Sequence, residues 1–141
     1  MPAGQEGGQD VIFKKPKYRT DWQRMVTEGM MVVPPVVYAA QILEVMFRKA
    51  ATVTEVHRSH SEQRALCKRL GIRPYLTVHT YWRGVDLSVK HLTAPQVATV
   101  EAMVNERFSY GRGKKVAIHH NVGAGDHIHI QAPAQFGVWR P

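Results

Sequence analysis

Eight histidines in a chain of 141 residues raise the question of a metal or acid–base site. His127 and His129 fall in the segment HIHIQ, and side chains in a strand repeat every two residues, so both project from one face. Asp126 precedes them, and strict alternation turns it to the other face. Asp86 stands in GVDLSV between Val85 and Leu87. A carboxylate buried among apolar neighbours without a partner is costly, so this one wants a cation. Zinc supplies that charge, and a zinc site with three protein ligands keeps its fourth position for water. A lone histidine in a strand is more often a hydrogen-bonded structural residue than a ligand; what favours a metal here is company. His119 and His120 read as strand residues, and His57, His60 and His91 as exposed or structural ones.

The elements that must position these groups follow from periodicity and capping. Residues 1–20 are rich in Gly, Lys and Gln and read as a flexible N-terminal arm, with 21–141 as a single domain. Pro34 and Pro35 open a helix over 36–50, with Val36, Ala39, Ala40, Leu43, Met46 and Phe47 on one face. The stretch TVTEVH at 52–57 alternates as a strand. Ser59 and Glu62 have the capping-box spacing for a short helix that stops at Gly71. A strand is expected at 84–90. Thr93 and Gln96 form a second capping box, opening a helix to about Phe108 whose apolar face carries Val97, Val100 and Val104. Strands at 116–120 and 127–131 follow, joined by NVGAG, whose glycines allow a tight connection. Helices early and antiparallel strands late make this an α+β fold, a small antiparallel sheet with helices packed on it. The one cysteine, Cys67, rules out an intrachain disulfide and reads as small buried packing.

With the motifs and their order in hand, the chain resembles a known family. TVHTYWRGVD at 77–86 looks like the Ser-x-His-x6-Asp element of the zinc peptidases that act on D-amino-acid peptides. These include D-alanyl-D-alanine carboxypeptidases, vancomycin-resistance dipeptidases and phage L-alanyl-D-glutamate endolysins; Hedgehog signalling domains share the zinc fold. The resemblance implies His79 and Asp86 as zinc ligands. The closing Asp/Glu-x-x-His element, matched by DHIH at 126–129, implies His129 as third ligand and Asp126 as general base, with His127 as a partner in catalysis. VHRS at 56–59 occupies the place of a Gly-Tyr-Arg-Ser turn, so Arg58 is expected to stabilise an oxyanion or hold a substrate carboxylate. Alternation alone favours His127 over Asp126 at the metal, whereas the family pattern needs a local twist that brings Asp126 round. The resemblance spans about residues 36–131. It departs from the pattern at Thr77 in place of Ser, at Val56 and His57 in place of Gly-Tyr, and at Trp82, where a small residue is usual.

The implied activity is that of a zinc-dependent hydrolase, a metallopeptidase cleaving peptidoglycan stem peptides as phage endolysins or carboxypeptidases do. Two alternatives stand beside it. NVGAGDHIHIQ loosely resembles the strand of histidine-triad nucleotide hydrolases and transferases, in which His127 or His129 would attack phosphorus without a metal; that leaves His79, Asp86 and Arg58 unexplained. The scaffold is also compatible with a zinc-stabilised binding or virion module without catalysis.

Composition bounds the partners. Hydrophobic residues make up 44% and charged residues 21%, close to a globular average. A formal net charge of +8 favours polyanionic surroundings, including an acidic cell wall. The basic residues form no run of five, and no nucleic-acid-binding signature accompanies them, so no nucleic-acid partner is expected. The longest uncharged stretch, Gly29 to Leu43, contains two prolines and falls short of the ~18 apolar residues that span a bilayer. No membrane insertion is therefore expected, and the start MPAGQEGGQD has no secretion-signal pattern. The expectation is a monomer made in the cytoplasm without a signal peptide and acting on the bacterial wall.

Overall fold

A computed structural model describes residues 11–122 and 125–140, and among these the chain alternates short extended segments with four helices. The strands are β1 (Val11–Phe13), β2 (Ala51–Glu55), β3 (Gly84–Ser88), β4 (Ala117–Val122) and β5 (Gly125–Gln131). The helices are α1 (Pro16–Glu28), α2 (Val33–Phe47), α3 (His60–Leu70) and α4 (Ala94–Arg107). The strands form one sheet in the order β1-β2-β3-β5-β4. The α+β class holds, but the sheet is mixed rather than antiparallel: β1 runs parallel to β2, while the other pairs are antiparallel. A parallel pair needs a long crossover, and here α1 and α2 provide it.

The arm expected over 1–20 is not what residues 11–20 form. Val11–Phe13 adds an edge strand, and Pro16 opens α1. Tyr18, Trp22 and Met25 lie on one face of α1 at spacings of four and three residues and are buried, which is helical periodicity. Gly29, at φ 66°, then closes the helix in the left-handed region, where glycine carries no Cβ penalty. Residues 1–10 lie outside the described residues, as do Gly123 and Ala124 of the expected tight connection.

Local chemistry fixed the helix starts. Both capping boxes form: Ser59 with Glu62 at α3, and Thr93 with Gln96 at α4. Pro34 and Pro35 stand in the first turn of α2, where their missing N–H groups are not needed. Val36, Ala39 and Leu43 of α2 and Val97, Val100 and Val104 of α4 join one core with Val53, Val85, Leu87, Ile128 and Ile130 of the sheet. Cys67 is fully buried. Asn105 of α4 ties the helix to the sheet: its carbonyl oxygen accepts from the Val116 and Ala117 N–H groups, and its amide donates to the Ala117 carbonyl. Because Val85, Leu87, Ile128 and Ile130 point into this core, Asp86 and His129 point to the opposite face. No single helix among the described residues is long and apolar enough to cross a membrane.

Candidate metal centre

Register sets which side chains meet on that opposite face. Across β3 and β5, Asp86 pairs with His129 and Ser88 with His127; across β4 and β5, His120 pairs with His127 and Ile118 with His129. Asp86, His127, His129 and His120 therefore share a face. His79 arrives from outside the sheet, on a run of tight turns over residues 77–83 in which the Thr80, Tyr81, Trp82 and Arg83 N–H groups donate to carbonyls three to five residues back. The Thr77 hydroxyl accepts from the His79 N–H at 3.2 Å, a bond that a serine hydroxyl makes equally well.

His79, Asp86 and His129 are each buried and offer ligand atoms within 4.8 Å of one another, so this group could hold a metal ion. His79 Nε2 lies 3.3 Å from Asp86 Oδ2, and His129 Nδ1 lies 2.8 Å from Asp86 Oδ1. The His79 tautomer is fixed from behind, because its Nδ1–H donates to the Val56 carbonyl at 2.8 Å and also reaches that of Gly84 at 3.1 Å. Such a backbone acceptor is what orients a metal-ligating imidazole. His129 Nε2 approaches Gln131 Oε1 at 3.2 Å, and the Gln131 amide is held by donating to the Lys115 carbonyl. Gly84 makes room for the rings: a Cβ there would lie 2.6 Å from Val78 Cγ2, 3.2 Å from His129 Cε1 and 3.3 Å from His79 Cε1.

The electrostatics describe a cluster that wants positive charge. Burial favours the neutral acid at Asp86, yet the His79 charge and the His129 hydrogen bond hold its carboxyl well below the usual carboxylate range. Burial likewise opposes a charged ring at His79, but the Asp86 carboxylate outweighs it and holds His79 above the ordinary histidine value. A proton shared between ring and carboxylate satisfies this demand, and so does a cation.

The remaining expected residues divide. His127 belongs to the cluster, with its Nε2 3.6 Å from Asp86 Oδ2 and its side chain 12% exposed. Asp126 does not. Its side chain is 46% exposed and its carboxylate pairs with His119 Nε2 on the other face. The twist that would bring it round is absent, since the β4–β5 register runs unbroken from Val122 opposite Gly125 to Ala117 opposite Ile130. Arg58 lies beside the cluster: its N–H donates to the His79 carbonyl at 3.4 Å, and its charge opposes protonation of His79. Its guanidinium is engaged by Gln63 Oε1 at 2.6 Å and faces Glu55 Oε1 at 3.6 Å. Trp82, at φ 61°, stacks on the His57 ring with centroids 3.9 Å apart and has the Arg24 guanidinium 4.7 Å from its ring centre.

Two participants were missed in the sequence. His120 stacks on His129 with centroids 5.3 Å apart and meets His127 edge-on at 5.5 Å; burial, then the neighbouring His129 and His127, lowers its pKa. In a His-His dipeptide on a strand one ring must face each side, so pairing the tail strands as a hairpin would have found it. Glu55, opposite Asp86 across a bulge in the β2–β3 pairing, also accepts from the Tyr18 hydroxyl at 3.2 Å, and burial together with Glu55 pushes that phenol up to about 12. Compared with known protein families, curated proteins and solved structures, the chain matches none.

Proposed function

We propose that this chain is a zinc-dependent peptidase that cleaves peptidoglycan stem peptides, with His79, Asp86 and His129 holding the metal. The observation that carries the reading is the buried His79–Asp86–His129 group, assembled from a loop and two strands around a carboxylate that needs a cation. The donor set of two imidazoles and one carboxylate suits zinc. The motifs at 56–59, 77–86 and 126–129 support the choice of peptide bond, since they resemble those of zinc peptidases of the Hedgehog and D-alanyl-D-alanine peptidase fold.

Zinc bound there lowers the pKa of a coordinated water toward about 7 and polarises a carbonyl oxygen. The protein's own groups do the rest. His127 is the ring at the edge of the cluster and takes the general-base role, since Asp126 lies on the other face. The Val56 and Gly84 carbonyls keep His79 in the tautomer that turns Nε2 to Asp86. Arg58, braced by Gln63 and Glu55, keeps further N–H donors for a substrate carboxylate or a developing oxyanion. In this reading the protein works as a monomer at the bacterial wall, and its net positive charge holds it on that acidic polymer.

A second reading, a metal-stabilised module without catalysis, draws on the position of Asp126, since a structural metal needs no carboxylate base. One experiment separates them: mass spectrometry of purified peptidoglycan incubated with the protein, with and without chelator. The peptidase reading expects new amino groups at stem-peptide bonds, abolished by chelator. New reducing ends would instead identify a glycosidase, and an undigested wall would favour the structural module.

A further inference from the structure

At the strand end next to the cluster, Arg83, Tyr110, Arg112, Lys114 and Pro133 line a cavity of about 310 Å³. Arg83 directly precedes Gly84, the residue over which the His79 and His129 rings close. A hydrogen-bonded path links the two places: His129 to Gln131, and Gln131 to the carbonyl of Lys115, the neighbour of Lys114. The cavity carries three cations. Among the described residues, no carboxylate lies within ion-pair distance of any of them.

The walls hold two of these cations in place. Arg83 Nη1 donates to the Pro133 carbonyl at 2.8 Å, and its guanidinium lies 5.8 Å from the centre of the Tyr81 ring. The Lys114 ammonium lies 5.6 Å from the centre of the Tyr110 ring. Arg112 sits at the tip of a turn closed by the Lys114 N–H donating to the Gly111 carbonyl at 3.0 Å. Its φ of 55°, followed by 72° at Gly113, puts both central residues of the turn in the left-handed region, as in a type I′ turn. Asn or Gly is the usual occupant of such a position, and the turn places Arg112 at its tip beside Lys114.

We infer that this basic cavity is a carboxylate-binding subsite, which takes an acidic group of the peptide whose bond lies at the metal cluster. The identity of that substrate rests on the peptidase reading; the binding of a carboxylate does not. Two guanidinium groups and an ammonium, with no counter-charge among the described residues, match a carboxylate in charge. Arg112 and Lys114 are exposed, so replacing them leaves the core intact.

The test is a titration of the full-length protein with N-acetyl-glutamate and, separately, with inorganic phosphate, followed by the amide NMR shifts of residues 111–114. The expected result is saturable shifts with N-acetyl-glutamate, weakened about tenfold in the Arg112→Gln/Lys114→Gln variant. On stem peptide the same variant should raise KM with kcat little changed. No saturable shift, an unaltered affinity in the variant, or tighter binding of phosphate than of carboxylate would overturn the assignment. Wild-type protein that cleaves no stem peptide overturns the peptidase reading, and the shift titration alone then decides the subsite.

Discussion

At Asp86 a carboxylate is buried against three histidine rings, and the energetics of that contact govern what each neighbour can do. Removing one partner of a buried charged pair costs about 3–5 kcal/mol, because the other is left uncompensated, so Asp86 and the rings around it depend on one another. His127 and Asp126 are adjacent in sequence yet face opposite sides of β5. One lies 3.6 Å from Asp86 Oδ2, and the other is on His119. This sets an order of effects. His127→Ala should retain metal and lose roughly 10²- to 10⁴-fold in kcat/KM, the usual worth of a positioned proton acceptor. Asp126→Asn should turn over at close to the wild-type rate. Measuring kcat/KM and metal content for the two variants checks this, and a crippled Asp126→Asn beside an active His127→Ala would return the base role to Asp126.

Among the elements, α3 has the most direct bearing on the site, because its first turns carry Gln63, the partner of Arg58. Its start depends on the Ser59–Glu62 capping box, in which the Ser59 N–H donates to Glu62 Oε1 at 2.9 Å. That bond from the Ser59 backbone holds the Glu62 carboxyl below its ordinary pKa. A carboxylate with a depressed folded-state pKa stabilises the fold above its unfolded value, about 4.3, and the contribution disappears as pH falls through the folded value. Glu62→Gln keeps an acceptor but cannot titrate. The stability difference between wild type and Glu62→Gln should therefore shrink as pH drops from about 6 to about 3. Thermal unfolding across that range measures it, and a difference independent of pH would show that the ionised form contributes nothing. Capping boxes were legible in the sequence because their chemistry spans three residues. Asp86 was legible because a lone carboxylate among Val and Leu is anomalous wherever the strand goes. β1 was not: three residues pairing in parallel with a strand 40 positions away leave no local period. α1 did leave one in Tyr18, Trp22 and Met25, hidden by the polar composition around it. His120 depended on hairpin register, which no single strand encodes. Asp126 lies on the face that strand alternation gives it, beside His119, and not on the face that the motif implies.

For the whole molecule, the cluster joins β3, β5 and the loop carrying His79, so a bound metal would tie together segments 50 residues apart in the chain. Metal that binds the folded chain and not the unfolded one adds to stability, so chelation should lower the melting temperature as well as end hydrolysis. The peptidase reading turns on whether His79, Asp86 and His129 hold that metal. Elemental analysis of the purified protein and its variants tests this most directly. About one zinc ion per chain is expected in the wild type and in Asp126→Asn, and none in His79→Ala or Asp86→Ala. Full zinc occupancy persisting in both His79→Ala and Asp86→Ala would contradict that reading.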